Sequence, residues 1–377
     1  MIAGELVAFS TSARSDGAAE AARLRLTRWL LEGGAQLRDG AHRGGVAGSL
    51  DASGDAVYVY PEITGYFLQY LAWHAARGTA TPAMSEQACA AQRWLRMWIE
   101  RTDPPQTRVY LRSPVPDWRN ESLFCFDVAM VARGVASATR MGLIDADPAL
   151  VDALEHRLAS MVHDDGMFLA RPDTVSARRL PERWSTRRGG FLAKAAAGIL
   201  SAADTLPRLR TLRPAARATL AASLAHAARD RHDETHPALY AIEGAIGAHA
   251  HHTMPSTIAP FSAQVQAMLA EHAVRGRLWE SRAAAGAYRL DIVAQAIRAA
   301  ALLRLGDAVD STAATSLRTM SETLVWHIDS RGALPFSPDA HPRQYSVWAA
   351  MFAEQALSVA TRSADDAMLA TLTTYLV

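Results

Sequence analysis

The chain has 377 residues, 50% hydrophobic and 20% charged, which supplies material for a packed core and excludes a disordered polymer. Thirty-nine Lys and Arg against 38 Asp and Glu leave a formal charge of +1. That balance argues against broad electrostatic capture of nucleic acid or of an acidic membrane. Two cysteines, Cys89 and Cys125, stand in apolar helical text outside any CxxC or Cys/His spacing, and both read as buried thiols.

The segment from Met1 to Gly17 has no basic stretch leading into an apolar core, so no signal peptide is expected. No uncharged apolar run reaches the ~18 residues of a membrane span. The expectation is a soluble, cytoplasmic protein. Among the 39 basic residues one is Lys, Lys194, and the chain holds a single Asn, Asn120. A composition that drains AT-rich codons should have replaced both where Arg or Asp would serve.

In chain order, two kinds of helix alternate. Amphipathic helices with a charged stripe are predicted over 18–33, 85–100, 147–162, 213–230, 260–276 and 308–328. Each is followed by a helix that is apolar nearly all round and rich in Ala and Gly: 61–77, 122–142, 190–206, 236–250, 289–306 and 345–360. A helix apolar on every side is buried on every side. Short extended pieces at Thr107–Leu111, Gly166–Leu169 and Gly332–Phe336 fit hairpins in the loops. Ser85, Asp147-Pro148 and His236-Pro237 read as helix starts, and Gly78, Gly142, Gly276 and Gly306 as helix ends. Six outer and six inner helices in strict alternation predict one all-α domain over 1–377, an (α/α)6 toroid with inner helices around a central cavity. A final amphipathic segment from Asp365 to Val377 is expected as an extra outer helix. An open α-solenoid or two bundles are the alternatives.

In such a ring the inner helices share one direction, so their N-terminal ends meet at one mouth and favour anionic or hydroxyl-rich ligands. Inner helix one begins with Tyr60, Pro61, Glu62 and Tyr66; Glu62 either complements the helix dipole or works as acid/base among sugar-binding tyrosines. Inner helix two follows Trp118-Arg119-Asn120, with Asn120 as N-cap or as a neutral amide for a substrate, and carries Asp127, a carboxylate that must meet an Arg or face the cavity. Before inner helix three lies an Arg-rich run that is a solvated loop or a neutraliser of acidic substrate, then Lys194, an ion-pair partner of Asp127 or Glu243 or else an acid/base group. His236, Tyr240 and Glu243 share one face of inner helix four at i, i+4 and i+7. Arg289 and Asp291 open inner helix five. Gln344 and Trp348 open the sixth, with Trp348 as stacking platform or core.

No GxGxxG, Walker A, GxSxG or HExxH occurs, so no nucleotide or other cofactor is expected. His249, His251 and His252 have the look of a metal cluster but sit at the far end of their helix without a further ligand, and no metal is expected.

On the helix pattern, and on the segments Tyr60–Tyr66 and His236–Glu243, the chain resembles the (α/α)6-toroid enzymes of carbohydrate chemistry. These include the N-acylglucosamine 2-epimerase-like proteins, unsaturated-uronyl hydrolases and toroidal polysaccharide lyases. The resemblance implies general acid/base chemistry on a sugar or acidic saccharide, as lyase, epimerase or glycosidase. Lyases of this kind pair an Asn or Arg with a His or Tyr, for which Asn120, Arg119, His236 and Tyr240 are the matching positions; epimerase-like proteins use paired His, of which His236 is the one well placed. The expected catalytic groups are then His236, Tyr240, Glu243, Glu62 and Asp127. The expected substrate contacts are Tyr60, Tyr66, Trp118, Arg119, Asn120, Lys194, Arg289, Asp291, Gln344 and Trp348. A terpene-cyclase-like or peptide-modifying toroid is a rival reading, without a DDxxD or DxDD motif; a non-catalytic helical array is another, and predicts an open arc.

Overall fold

The computed structural model describes residues 2–101, 103–113, 115–172, 180–229, 233–250, 258–281, 286–305, 311–360 and 364–377. Within them run α1 (Ile2–Glu32), α2 (Pro61–Ala76), α3 (Pro82–Arg101), α4 (Cys125–Arg140), α5 (Pro148–Ala159), α6 (Leu192–Thr205) and α7 (Arg213–Arg229). They continue with α8 (Thr235–Ala250), α9 (Ile258–Arg275), α10 (Leu290–Leu302), α11 (Thr312–His327), α12 (Val347–Ala360) and α13 (Asp366–Thr374). The even-numbered helices pack each on the next from α2 to α12, and α12 returns to α2. The odd-numbered helices α1 to α11 cover them. The result is a closed (α/α)6 toroid, not an open arc.

Composition explains which helix lies where. In α2 every residue from Pro61 to His74 is buried, and in α10 every residue from Leu290 to Ala300. Outer helix α3 buries one stripe, Met84, Ala88, Ala91, Trp94, Leu95, Trp98 and Ile99, and leaves Arg93 and Glu100 in water. Glycines set the closest approach in the inner ring. A Cβ on Gly134 would stand 2.2 Å from the Gly65 carbonyl oxygen, and one on Gly65 would stand 2.6 Å from that of Met130. Helices α2 and α4 therefore touch backbone to backbone.

The Asp147 carboxylate accepts from the Ala149 and Leu150 amides ahead of Pro148, and Gly78, Gly142 and Gly276 follow their helices with φ of 70°, 67° and 69°. Gly306 lies outside the described residues. Several helix starts differ from expectation. Helices α4 and α11 start three to four residues later, at Cys125 and Thr312, and three other starts also differ. Helix α3 starts at Pro82, which takes the first helical position, so Ser85 is inside it. Thr235 precedes His236 in α8. Helix α1 starts at Ile2 rather than near residue 18, because the Ser- and Thr-rich stretch before Gly17 has no apolar stripe and reads as turn text.

The loops at the mouth form a small sheet. Strands β1 (Ala47–Leu50), β2 (Ala56–Val59), β3 (Val109–Tyr110) and β4 (Tyr345–Ser346) lie in the antiparallel order β3-β2-β1-β4. Of the expected hairpins, Thr107–Leu111 contributes β3, Gly166–Leu169 a single bridge from Phe168 to Val162, and Gly332–Phe336 a bridge from Pro335 to Tyr345. The β1–β2 hairpin is not evident in the sequence pattern, because four-residue strands carry too few alternations.

Helix α13 corrects another expectation. It packs against α2, α8, α10 and α12, all inner helices, so it crosses the end of the ring away from the mouth. Its follow-on residues Leu376 and Val377 are buried there. An amphipathic helix needs an apolar surface, and the uncovered bore offers one. Cys125 is buried, which pushes its thiol up to about 12, whereas Cys89 is half-buried.

Gly134→Ala is expected to lower stability by about 1–3 kcal/mol, since backbone must shift to admit one methyl. Gly17→Ala, at an exposed helical position with nothing within 4 Å, is expected to raise it by ~0.5–1 kcal/mol. Urea denaturation of the two variants reads the difference.

Candidate functional site

A cavity of about 530 Å³ opens at the mouth where the inner helices begin. All six inner helices contribute at or just before their first turns: Glu62 from α2, Asp127 from α4, Phe191 ahead of α6, His236 from α8, Arg289 ahead of α10 and Trp348 from α12. The sheet forms a further wall.

On the first wall Pro61 fixes the start of α2 and delivers Glu62, 7% exposed, next to Asp127 of α4, 4% exposed. Burial raises both carboxyls. The Glu62 charge pushes Asp127 further up, while the Tyr60 hydroxyl and the Lys194 charge pull Glu62 back down. Two carboxyls set side by side in this way titrate as a pair.

Across the ring stands α8. His236 Nδ1 is 2.7 Å from Gln295 Oε1, so Nδ1–H donates and Nε2 is left with its lone pair. Burial and the Arg289 charge lower this imidazole to about 4, and it is neutral at pH 7. Its ring lies 4.3 Å from that of Tyr240 at a tilt of 54°, with Trp184 edge-on at 5.9 Å. Burial keeps the Tyr240 phenol protonated.

On the third wall Arg289 grips Asp291 through two bonds of 3.1 and 2.6 Å and Glu280 through one of 2.6 Å. The Trp348 indole donates to Asp291 at 3.0 Å, as does the Ile292 amide. Asp291 is fully buried and its oxygens are spent, so it does not reach the cavity; it holds Arg289 and Trp348, which do. Gln344 lines the rim nearby.

Several expected site residues stand elsewhere. Glu243 shares a face with His236 and Tyr240, but seven residues at ~1.5 Å each place it about two turns deeper. There it pairs with Lys194 at 2.7 Å and Arg298 at 2.7 Å, below the cavity. Lys194 also donates to the Val377 oxygen at 3.1 Å and lies against the rings of Tyr66 and Tyr240 at 4.8 and 4.7 Å. Tyr66 is wholly buried in this layer. Asn120 is neither helix cap nor cavity residue. Its amide accepts from the Arg108 amide and donates to the Arg108 carbonyl, both at 2.8 Å, and Asp117 caps the 3-10 turn 118–121 instead. Tyr60, Trp118 and Arg119 do line the cavity.

The sequence reading missed Arg108 and Glu280 as cavity residues, and passed over Trp184 as part of an Arg-rich loop. The alternation of Arg108 and Tyr110 at a short strand was the available signal. His249 is in α8, and His251 and His252 lie outside the described residues. Among the described residues no group of three His, Cys, Asp or Glu is placed to hold a metal. Among the described residues no helix is long and apolar enough to cross a membrane.

The chain matches no protein-family profile and no curated protein by sequence. Solved structures match it over most of its length. Cellobiose 2-epimerase from Spirochaeta thermophila aligns with a TM-score of 0.65 at 15% identity, covering 91% of this chain and 96% of that one. A D-mannose isomerase gives 0.67 at 14%, covering 90% and 97%. An unsaturated glucuronyl hydrolase specific for heparin gives 0.59 at 12%, covering 92% and 96%. The shared fold is the (α/α)6 toroid. At these identities the likeness is one of architecture, and the chemistry rests on this chain's own side chains.

The buried His236 has a consequence for acid stability. Its folded value, about 4, lies below the unfolded ~6.5, so the unfolded chain alone takes up the proton between those pH values. Stability therefore falls as pH drops through that window, by roughly 3 kcal/mol from this group. His236→Gln removes the contribution. Denaturation midpoints at pH 7 and pH 4.5 are expected to lie closer together in the variant than in the parent.

Proposed function

We propose that this chain is a carbohydrate-active enzyme that transfers protons to and from a saccharide held in the toroid cavity, with the ring from α1 to α12 as one catalytic unit. The observation that carries the reading is the pairing of two adjacent buried carboxyls with a buried imidazole on opposite walls. In a six-helix ring α2 lies across from α8, so Glu62 and His236 face each other with the substrate volume between them. Asp127 is the proton donor, Glu62 the partner that shares its proton, and His236 Nε2 the acceptor. Tyr240 orients His236 by ring contact.

Trp118, Trp184 and Trp348 offer aromatic surface of the kind that takes the C–H faces of a sugar ring. A hydrophobic floor with a few convergent polar groups is the usual composition of a small-molecule site. Sugar epimerases, isomerases, glucuronyl hydrolases and glycosidases among the structural neighbours support the substrate class. The lyase variant of the reading loses its amide, because Asn120 is committed to the Arg108 backbone. Carboxyls and imidazole on facing walls favour protonation on one face and deprotonation on the other, as in epimerisation, isomerisation or glycosidic hydrolysis, while Arg119 keeps the arginine-based lyase variant open.

Incubation in D2O with mannose, glucose, cellobiose and an unsaturated uronyl disaccharide, followed by NMR, tests the proposal. Turnover of at least one saccharide is expected, with deuterium on ring carbon if the reaction is an isomerisation or epimerisation and solvent incorporation without it if hydrolysis. Asp127→Asn and His236→Ala are each expected to reduce the rate by about 10²–10⁴-fold. Activity falls as pH rises through the raised dyad value, because the acid form is the working one. Unchanged turnover in both variants removes the proposal.

A further inference from the structure

We propose that the cavity face of the sheet is a subsite for a negatively charged group of the substrate. Arg108 and Arg119 bind it, and Asp117 and Asn120 position them. The inference rests on the saccharide reading for its ligand class.

Strand alternation builds the surface. Ser346, Ser49, Tyr58 and Tyr110 are register partners across β4, β1, β2 and β3, and all four line the cavity. Arg108, just before β3, and Tyr60, just after β2, flank this row and also line the cavity. The Arg108 guanidinium lies 4.6 Å from the Tyr58 ring and 6.0 Å from that of Tyr60. Arg119 lies 4.5 Å from the Trp118 ring. Both lie against aromatic faces.

Their shared carboxylate is Asp117, at 3.4 Å from Arg108 Nη1 and 3.0 Å from Arg119 Nη1, which also accepts from the Tyr110 hydroxyl at 3.0 Å. One carboxylate thus serves two guanidinium groups. Arg108 Nε is buried without a hydrogen-bond partner, and so is Ser49 Oγ on the same face. Buried donors left unpaired are costly, and a ligand that satisfies them gains what the empty site lacks. Arg289 is the contrast: its three nitrogen positions are already taken by Asp291 and Glu280.

A volume of about 530 Å³ open at one mouth takes a sugar unit. A forked guanidinium pair suits a planar carboxylate or a phosphate. The anion would also act on the acid. The Arg108 charge favours ionised Asp127, so an anion lying on Arg108 offsets that pull and keeps the dyad protonated. The neutral amide of Asn120 matters here because it pairs with both the amide and the carbonyl of Arg108, which Asp cannot do.

Calorimetric titration of the full chain with glucose, glucuronate, glucose 6-phosphate and inorganic phosphate tests the subsite at low ionic strength. At least one charged sugar is expected to bind about tenfold or more tightly than glucose, the range of a charge-assisted contact. The charged sugar that wins identifies carboxylate or phosphate as the group. Arg108→Gln and Arg119→Gln should each reduce that preference, read as the ratio of charged-sugar to glucose affinity, and Arg108→Lys should restore part of it. Glucose binding as tightly as both charged sugars overturns the proposal, as does a preference that survives both Gln variants. The outcomes separate from those of the acid/base reading. An Arg108-dependent preference alongside full turnover in Asp127→Asn upholds the subsite and removes the acid. Arg108-dependent capture of inorganic phosphate, with no sugar bound, upholds the anion site and removes the saccharide.

Discussion

Six apolar helices set side by side leave a bore along the ring axis, and interiors do not tolerate large empty apolar space. The protein fills the two halves of that bore differently, and its site depends on the division. The lower half is packed with Tyr66, Phe352, Lys194, Arg298 and Glu243, closed from beneath by the segment that follows α13. Val377 accepts from both Lys194 and Arg298, and Gln355 ties Arg298 to the same segment. Charges buried this deeply are tolerated only while each keeps its partners. Their mutual engagement makes a floor, and the space above the floor is the cavity.

Above that floor, direction does the organising. Because each outer helix returns the chain to the same end, all inner helices start at the mouth. Helix starts accept proline, carboxylates and aromatic residues more readily than helix interiors do. The same positions that end a helix gracefully therefore line the cavity. The small sheet completes the wall with backbone that has no inner helix to offer, and the Asn120 amide substitutes for a missing strand partner at Arg108. The cavity lining is divided accordingly: Glu62, Asp127 and His236 sit on the inner helices, and Arg108 and Arg119 sit at the sheet edge and its neighbouring turn.

Three kinds of residue resisted reading from the sequence. Glu243 and Lys194 looked equal to Glu62 and His236, since all are polar residues in apolar helices. Depth separates them, and depth depends on where the floor lies, which is set by a segment far along the chain. Asp291 and Asn120 also resembled ligand contacts. Their oxygens and amide groups are consumed by Arg289, Trp348 and the Arg108 backbone, and nothing local announces that. Arg108 hid for the opposite reason: it stands just before a strand too short to show its period.

What the chain alone determined is the alternation of half-apolar and wholly apolar helices, hence the closed double ring, and the end of that ring at which Glu62, Asp127, His236 and Arg289 gather. Periodicity and helix starts are local properties, written within a few turns of one another. Tertiary structure decided which polar groups remain uncommitted. Whether a carboxylate shares a proton, or an arginine keeps a donor to spare, follows from neighbours that arrive from other helices, and only the closed ring brings those neighbours within reach.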